Sequence, residues 1–329
     1  MLVYTIKRLF WIPIIVLAVT FFTFIIGRLG PGDPISVASG QIRDPVLLEQ
    51  VRIEKGLDRP IIVQYYKWLK NALKGDFGES YIFKGYTVSE LIFPKMLISA
   101  QLGFLALLVV FGLGVPLGLL AATLHNTWID PFIVSLLLFF RAIPVIVIIP
   151  PLLWVFAVHW SILPVGGWEG GIFDIYWLFD VIAIPIFNSH VYLPVFALSI
   201  GGFGGVARLV RITALEVKNE AFITTARSKG LSESRVMYGH ILPNSLLPLV
   251  TVIGFALVGI LEGAFFVEVL LGIPGIGRFT FEAVKSRDYD VILAMTVILS
   301  VMFIIINLIV ELLYTKIDPR IELSDGNKS

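Results

Sequence analysis

A chain of 329 residues that is 57% hydrophobic and only 15% charged, with a mean hydropathy of +0.90, is too apolar for an ordinary soluble domain, where about a quarter of residues are charged. Its net charge of +1 favours neither nucleic acid nor an acidic surface, and the absence of cysteine excludes disulfides and thiolate metal sites. Runs of about 20 apolar residues, the length that one helical crossing of a ~30 Å hydrocarbon core requires, recur along it and predict an all-α, polytopic membrane protein.

The first run, Leu9 to Gly27, follows Lys7 and Arg8 and could pass for a secretion signal, but its length and the lack of a small-residue cleavage site predict a retained helix within residues 1–29. The next apolar run starts at Ser99, so residues 30–95 form a subdomain of their own. In it, Pro45–Gly56 spaces Val46, Leu47, Val51 and Ile53 as a helix does. Ile61–Gly75, entered just after Pro60, places Val63, Tyr66, Trp68, Leu69, Ala72 and Leu73 on a second helix. Such a unit serves as a cap packed on the bundle, as a docking surface, or as both. Five further spans follow: Ser99–Thr123, Pro131–His159, Leu193–Thr213, Asn244–Val267 and Val291–Tyr314. The bundle therefore has six transmembrane helices over residues 1–29 and 96–318, with a tail at 319–329. Gly and Pro inside the spans are compatible with this, since neighbouring helices re-satisfy the freed backbone groups and small residues allow close approach.

Lys and Arg in the flanks set orientation. The Arg208–Pro243 region holds Arg208, Arg211, Lys218, Arg227, Lys229 and Arg235, and the tail adds Lys316, Arg320 and Lys328. Trp160–Tyr192, in contrast, has no Lys or Arg and carries Glu169, Asp174 and Asp180. Six spans then put both termini and the basic segment in the cytosol and the 30–95 subdomain outside, since a loop that long escapes the charge rule.

No reaction centre emerges. The four histidines, His125, His159, His190 and His240, have no metal spacing, and no Gly is followed by Lys, so a phosphate-cradling GxxxxGK[ST] loop is impossible. The glycine-rich Gly272-Ile-Pro-Gly-Ile-Gly277 suits the end of the fifth span better than a dinucleotide turn. Ionisable residues inside spans are functional candidates. Arg141, Glu262 and Asn307 are candidates for lining a pathway, although Arg141 and Glu262 could equally form a structural pair.

Between the fourth and fifth spans lies a polar, basic segment, 216–243. Val217–Ser228 reads as a helix with Ala221, Phe222, Thr225 and Ala226 on one face, Arg227 and Lys229 in the last turn, and Gly230 as a left-handed terminator. Ser232 and Glu233 restart a helix that runs into Leu242-Pro243. Thr224, Ala226, Arg227 and Lys229 form an exposed small and basic face suited to a groove on a soluble partner. An ordinary interfacial helix would share the pattern.

Thr224, Thr225, Ala226, Gly230 and Leu231, followed by Leu242-Pro243, resemble the EAA signature of ABC importer permeases, with Thr224 at the Glu position, Thr225 at the first Ala and His240 where Ile is usual. The Thr-Ala-Arg-x-Lys-Gly form is similar to the dipeptide/oligopeptide branch. So are Pro31-Gly32-Asp33-Pro34, Gly56-Leu57-Asp58-Arg59-Pro60, Gly75-Asp76-Phe77-Gly78-Glu79-Ser80, Pro274-Gly275-Ile276-Gly277-Arg278, Arg287-Asp288-Tyr289 and Asp318-Pro319-Arg320. The resemblance implies a non-catalytic permease subunit in a prokaryotic cytoplasmic membrane, importing di- or oligopeptides. Its implied partners are a second homologous permease, two cytosolic ATPase subunits and an external solute-binding protein, with no nucleic acid. It also implies no cofactor in this chain, ATP and Mg belonging to the ATPase subunits. The ATPase-coupling residues would be Ala221, Thr224, Thr225, Ala226, Arg227, Lys229, Gly230, Leu231, Leu242 and Pro243. Oligosaccharide or nickel import by the same kind of machine, an ion-coupled secondary carrier, and a membrane receptor that binds without transport stay open as alternatives.

Overall fold

The computed structural model of the chain describes residues 2–29, 49–50, 53, 56–171, 173–178, 182–246, 248–262 and 264–317. The expected helix over Pro45–Gly56, the Pro31–Pro34 and Asp318–Arg320 motifs and the tail therefore lie outside the described residues, wholly or in large part.

The molecule is a helical bundle. Helix α1 (Leu2–Leu29) is followed by α2 (Ile61–Ala72), α3 (Val88–Thr123), α4 (Ile129–Ala142) and α5 (Val145–Leu152), which continues as a π-helix over Leu153–His159. A β-hairpin, β1 (Phe173–Leu178) with β2 (Ile182–Phe187), pairs antiparallel from Phe173↔Phe187 to Leu178↔Ile182 and is the one element that helical periodicity does not announce. Then come α6 (Ser189–Lys218), α7 (Ala221–Ser228), α8 (Glu233–Val236), a π turn over Met237–Ile241, α9 (Leu242–Ser245), α10 (Leu249–Glu262), α11 (Phe265–Leu270), α12 (Ile276–Ser286) and α13 (Tyr289–Ile317).

Among the described residues four helices, α1, α3, α6 and α13, are long and apolar enough to cross a bilayer. Phe10, Phe22 and Ile26 of α1 stay 69, 64 and 70% exposed, as side chains facing lipid do and side chains facing water rarely can. The third expected span, Pro131–His159, is not one straight helix. It is broken between α4 and α5 at an angle of 95°. The cause is Pro144: it lacks an N–H and pushes Ile143 out of the helical region, to φ −84, ψ 120. Even so the pair runs from one end of the bundle to the other. Asp130 at its start touches Arg211 near the C-terminus of α6, and the Gly166 carbonyl beyond its end accepts from His190 Nδ1 (3.0 Å) at the N-terminus of α6. The fifth expected span has as its longest helix the 14-residue α10, about 21 Å long at 1.5 Å per residue and so shorter than a ~30 Å core.

The centre of the bundle is α3 against α6. Gly114 and Gly118 of α3, four apart and hence on one face, let the two backbones approach. A Cβ on Gly118 would sit against the Ala207 carbonyl oxygen, well inside contact distance, and one on Gly114 would lie 2.8 Å from Val206 Cβ. Val206, Val210 and Ala214 of α6 then join Leu119 and Ala122 of α3 in a buried cluster. Helix α3 begins with a reciprocal cap: Thr87 accepts from the Glu90 N–H and Glu90 from the Thr87 N–H.

Two buried carboxyl groups fasten the end of the bundle where α3 starts. Glu268, fully buried, accepts from the Ser99 hydroxyl (2.6 Å), the Ala264 N–H (3.2 Å) and the Arg278 N–H (2.8 Å), while Ser99 accepts from the Ile276 N–H (2.8 Å). Two of the first-turn amides of α12, those of Ile276 and Arg278, which have no partner inside the helix, are thereby satisfied. Gly275 is glycine because any Cβ there would collide with this carboxyl group. Asp288, 1% exposed, accepts from the Ser80 hydroxyl and from the Tyr81 and Ile82 amides, tying segment 76–87 to α12 and α13. Burial first, then Asp290, push the Tyr81 phenol above its ordinary value, so it stays protonated at any physiological pH.

Helix α2 packs on α1 through a face one step round from the expected one. Tyr65 meets Phe24 edge to face, Trp68 lies tilted against it, and the Tyr65 hydroxyl bonds to Thr20 at 2.8 Å, whereas Val63, Tyr66 and Leu73 are exposed. A polar tip that needs a partner on α1 selects the face, which apolar spacing alone does not.

Because the α3–α6 contact has no room for a methyl group, Gly118→Ala should cost about 1–3 kcal/mol, read as a lower thermal unfolding temperature in detergent. Gly112→Ala, with nothing within 4 Å of its Cβ, should leave that temperature unchanged or raise it, since alanine is the better helix former.

Candidate functional site

The basic segment is a compact handle fixed to the bundle. Helix α6 stops at Lys218, and Asn219 caps it with its side-chain amide on the Leu215 carbonyl (3.1 Å). Asparagine competes for backbone carbonyls in this way and so interrupts helices. After the extended Glu220 (φ −71, ψ 147), α7 begins at Ala221, so the expected single helix Val217–Ser228 is corrected to two helices meeting at Asn219–Glu220. Helix α7 closes with a full Schellman motif. Gly230, at φ +77, donates to Arg227 O (2.9 Å) and Leu231 donates to Ala226 O (3.4 Å). The sequence expectation for Gly230 is met.

The expected faces of α7 are rotated. Ile223 and Ala226, three apart, are buried with Val236 and Ile241, so Ala226 does not belong to the exposed face, and Phe222 is 44% exposed rather than packed. Burying Ile223 removes more apolar area from water than Ala221 could, and this sets the rotation. Ala221, Thr224, Thr225 and Lys229 are exposed, Arg227 is partly exposed, and Leu231 is half-buried against the cluster. Arg227 donates to both oxygens of Glu233 (2.8 and 3.3 Å), joining the end of α7 to the start of α8. That guanidinium holds the Glu233 carboxyl below its ordinary value of 4.5. Leu242 is half-buried and Pro243 exposed at the start of α9. With no N–H to return to Gly239, Pro243 leaves the preceding turn opened into π geometry. Thr213 of α6 donates to Ser245 O (3.0 Å), and thus both strands of the handle are tied to each other where they enter the bundle.

One layer further in, Asp130, 3% exposed, takes a two-pronged contact from Arg211 (2.5 and 2.6 Å) and a third from His125 (2.9 Å). Beyond it, between α3, α4, α6 and α10, lies a cavity of about 720 Å³ whose lining includes Gly103, Arg141, Gly201, Gly205, Arg208 and Gly259. Of the three residues expected along a pathway, the structure brings Arg141 to this cavity. Asn307 lies half-buried in α13 away from its lining, a consequence of α13 packing on α1 and α10, and the Glu262 side chain is outside the described residues. Arg208 lines the cavity as well. It is legible in the sequence only as a flanking charge, although its position three residues after Gly205 on one helix was the available signal.

The family described as binding-protein-dependent transport system inner membrane component matches residues 114–323, and the N-terminal part of such membrane components matches residues 1–82. The oligopeptide transport system permease protein OppB of Haemophilus influenzae is 35% identical over 98% of this chain and 99% of its own length. The corresponding AppB protein of Bacillus subtilis is 37% identical over 98% of this chain and 100% of its own. Among solved structures, an inward-facing MetNI methionine ABC transporter aligns with 70% of this chain and 97% of that chain at a TM-score of 0.53 and 14% identity, a likeness of fold alone.

The Arg227–Glu233 contact exists while the carboxyl is ionised. Its pKa is depressed in the folded chain, so the contribution is complete above the ordinary carboxylate value and disappears as pH falls through the lower, folded value. Hydrogen exchange across 221–236, corrected for the intrinsic rate, should accelerate below about pH 4, and Glu233→Gln should remove that pH dependence.

Proposed function

Because the chain belongs to the family of binding-protein-dependent transport system inner membrane components, we propose that it is a permease subunit of an ATP-driven importer and forms half of a pathway for di- or oligopeptides. The observation that carries the peptide assignment is identity of 35–37% along almost the whole length of oligopeptide permeases. In this reading the handle faces the cytosol and grips one of two ATPase subunits. A second, related permease completes the pathway, and a solute-binding protein docks on the opposite end, over segment 76–87, the hairpin and α12. The basic residues of the handle and the absence of Lys and Arg from Trp160–Tyr192 support that orientation.

Coupling needs a lever, not a reaction centre. Ile223 and Ala226 root α7 in the same buried cluster as Val206 and Val210 of α6, so a pull on α7 is delivered to α6 and through it to the cavity wall. Closure of an ATPase pair around ATP shifts the permease between inward-open and outward-open states by binding them unequally. Moving a population from about 1:99 to 99:1 takes roughly 5.5 kcal/mol of differential affinity. The exposed Thr224, Thr225 and Lys229 are the surface offered to the ATPase groove, with Arg227 held at its edge by Glu233.

Gly230 separates the backbone requirement from side-chain contact, since nothing lies within 4 Å of a Cβ placed there while its φ is +77. In proteoliposomes containing the assembled complex, Gly230→Val should abolish peptide-stimulated ATP turnover with the chain still inserted. Gly230→Asn, which tolerates the left-handed region, should retain most of it. Coupled uptake by the Val variant would end the assignment of this turn to coupling, and uptake by the chain without any ATPase would end the importer reading.

A further inference from the structure

The cavity has an electrostatic property that its neighbours do not explain. Three arginines reach toward the middle of the bundle from α4 and α6, and they are treated differently. Arg211 spends both prongs of its guanidinium on the buried Asp130. Among the described residues, Arg141 and Arg208 both line the cavity, no Asp or Glu does, and neither arginine has an ion-pair or hydrogen-bond partner. A cation between apolar helices without a counter-charge is costly and marks a function.

The Arg141 guanidinium also lies against the stretch of α6 that carries Arg208. A Cβ on Gly205 would meet Arg141 Nη1 at 3.2 Å, so the Arg141 head lies over Gly205, where the lack of a side chain makes room for it. Arg208 follows three residues later on the same helix and hence the same face, about 4.5 Å further along it. Apart from these two, the lining is glycine and apolar side chains with one hydroxyl, Ser99, and that hydroxyl is already donated to Glu268. A wall of this kind cannot read the side chains of a cargo by hydrogen bonding. It can read an anion common to every cargo molecule.

We propose that Arg141 and Arg208 form a subsite that takes the C-terminal carboxylate of a peptide in transit. The proposal rests on the peptide-importer reading above. A free peptide carries this group whatever its sequence, and a planar carboxylate is the partner that guanidinium forks accept two-pronged, as Asp130 does for Arg211 in the same protein. At about 720 Å³ the cavity is large enough for a short peptide.

The test uses the assembled complex in proteoliposomes, its binding protein preloaded with either trialanine or trialanine C-terminal amide so that capture does not select between them. With the native chain, the free acid should be taken up about tenfold faster than the amide, the factor expected for one charge-assisted contact. The Arg141→Met, Arg208→Met double variant should slow uptake of the acid by about that factor, leave the amide within about twofold, and so erase the preference; Arg141→Lys should keep part of it. An unchanged acid-to-amide ratio in the double variant overturns the subsite. So does an equal loss for both peptides, which is the result expected if these arginines pair with an acid on the companion permease or with a lipid phosphate. Absence of any ATP-driven uptake of either peptide by the native complex overturns the peptide reading itself, and the subsite with it.

Discussion

The contact on which the other features depend is the meeting of two backbones at Gly118 of α3 and Ala207 of α6. Side chains of ordinary size would hold these helices roughly 8–10 Å apart. Glycine at 114 and 118 removes that spacing, and the buried valines of α6 fill in around it. Once α6 is seated so closely, its register is fixed, and that register decides where everything on it points. Val206 and Val210 go to the core, Gly205 and Arg208 to the cavity and Arg211 to Asp130, and the chain leaves at Lys218 in position to form the handle. One steric relation thus places the cavity wall and the root of the handle on a single rigid rod.

The charges follow from the same rod. A guanidinium in a membrane bundle is stable where it is neutralised locally or where it meets water or cargo in a cavity. Arg211 is the first case and Arg208 the second, although they are only three residues apart. The difference is not in arginine itself but in what stands opposite: the start of α4 presents Asp130 to one, and open space shared with Arg141 faces the other.

Much of the architecture was legible because a bilayer makes simple demands. Apolar length identifies four of the six expected spans, the Lys and Arg distribution picks out the handle, and Gly230 after Arg227 and Lys229 announces a left-handed helix end that the structure contains. What escaped was what averaging over a window hides and what depends on a partner distant in sequence. Averaged hydropathy over Pro131–His159 conceals a 95° break that a single residue, Pro144, imposes. The faces of α7 and α2 were misjudged because their orientation is chosen by Val236 and Ile241 in one case and by Thr20 and Phe24 in the other, none of which a local helical wheel contains. The Gly272–Gly277 motif was placed correctly at an end of the bundle. Its reason, a carboxyl group from Glu268 seated where a Cβ would be, needs coordinates.

The Glu268 fastening differs in kind from the Arg227–Glu233 clasp. Both link separate helices, but the first is wholly enclosed, whereas Glu233 keeps 69% of its side chain in solvent. Mobile ions screen exposed charges over a length of about 8–10 Å at physiological strength and scarcely reach enclosed ones. Ionic strength therefore acts unevenly on this protein: added salt loosens the clasp that joins α7 to α8, while the enclosed Glu268 fastening stays set.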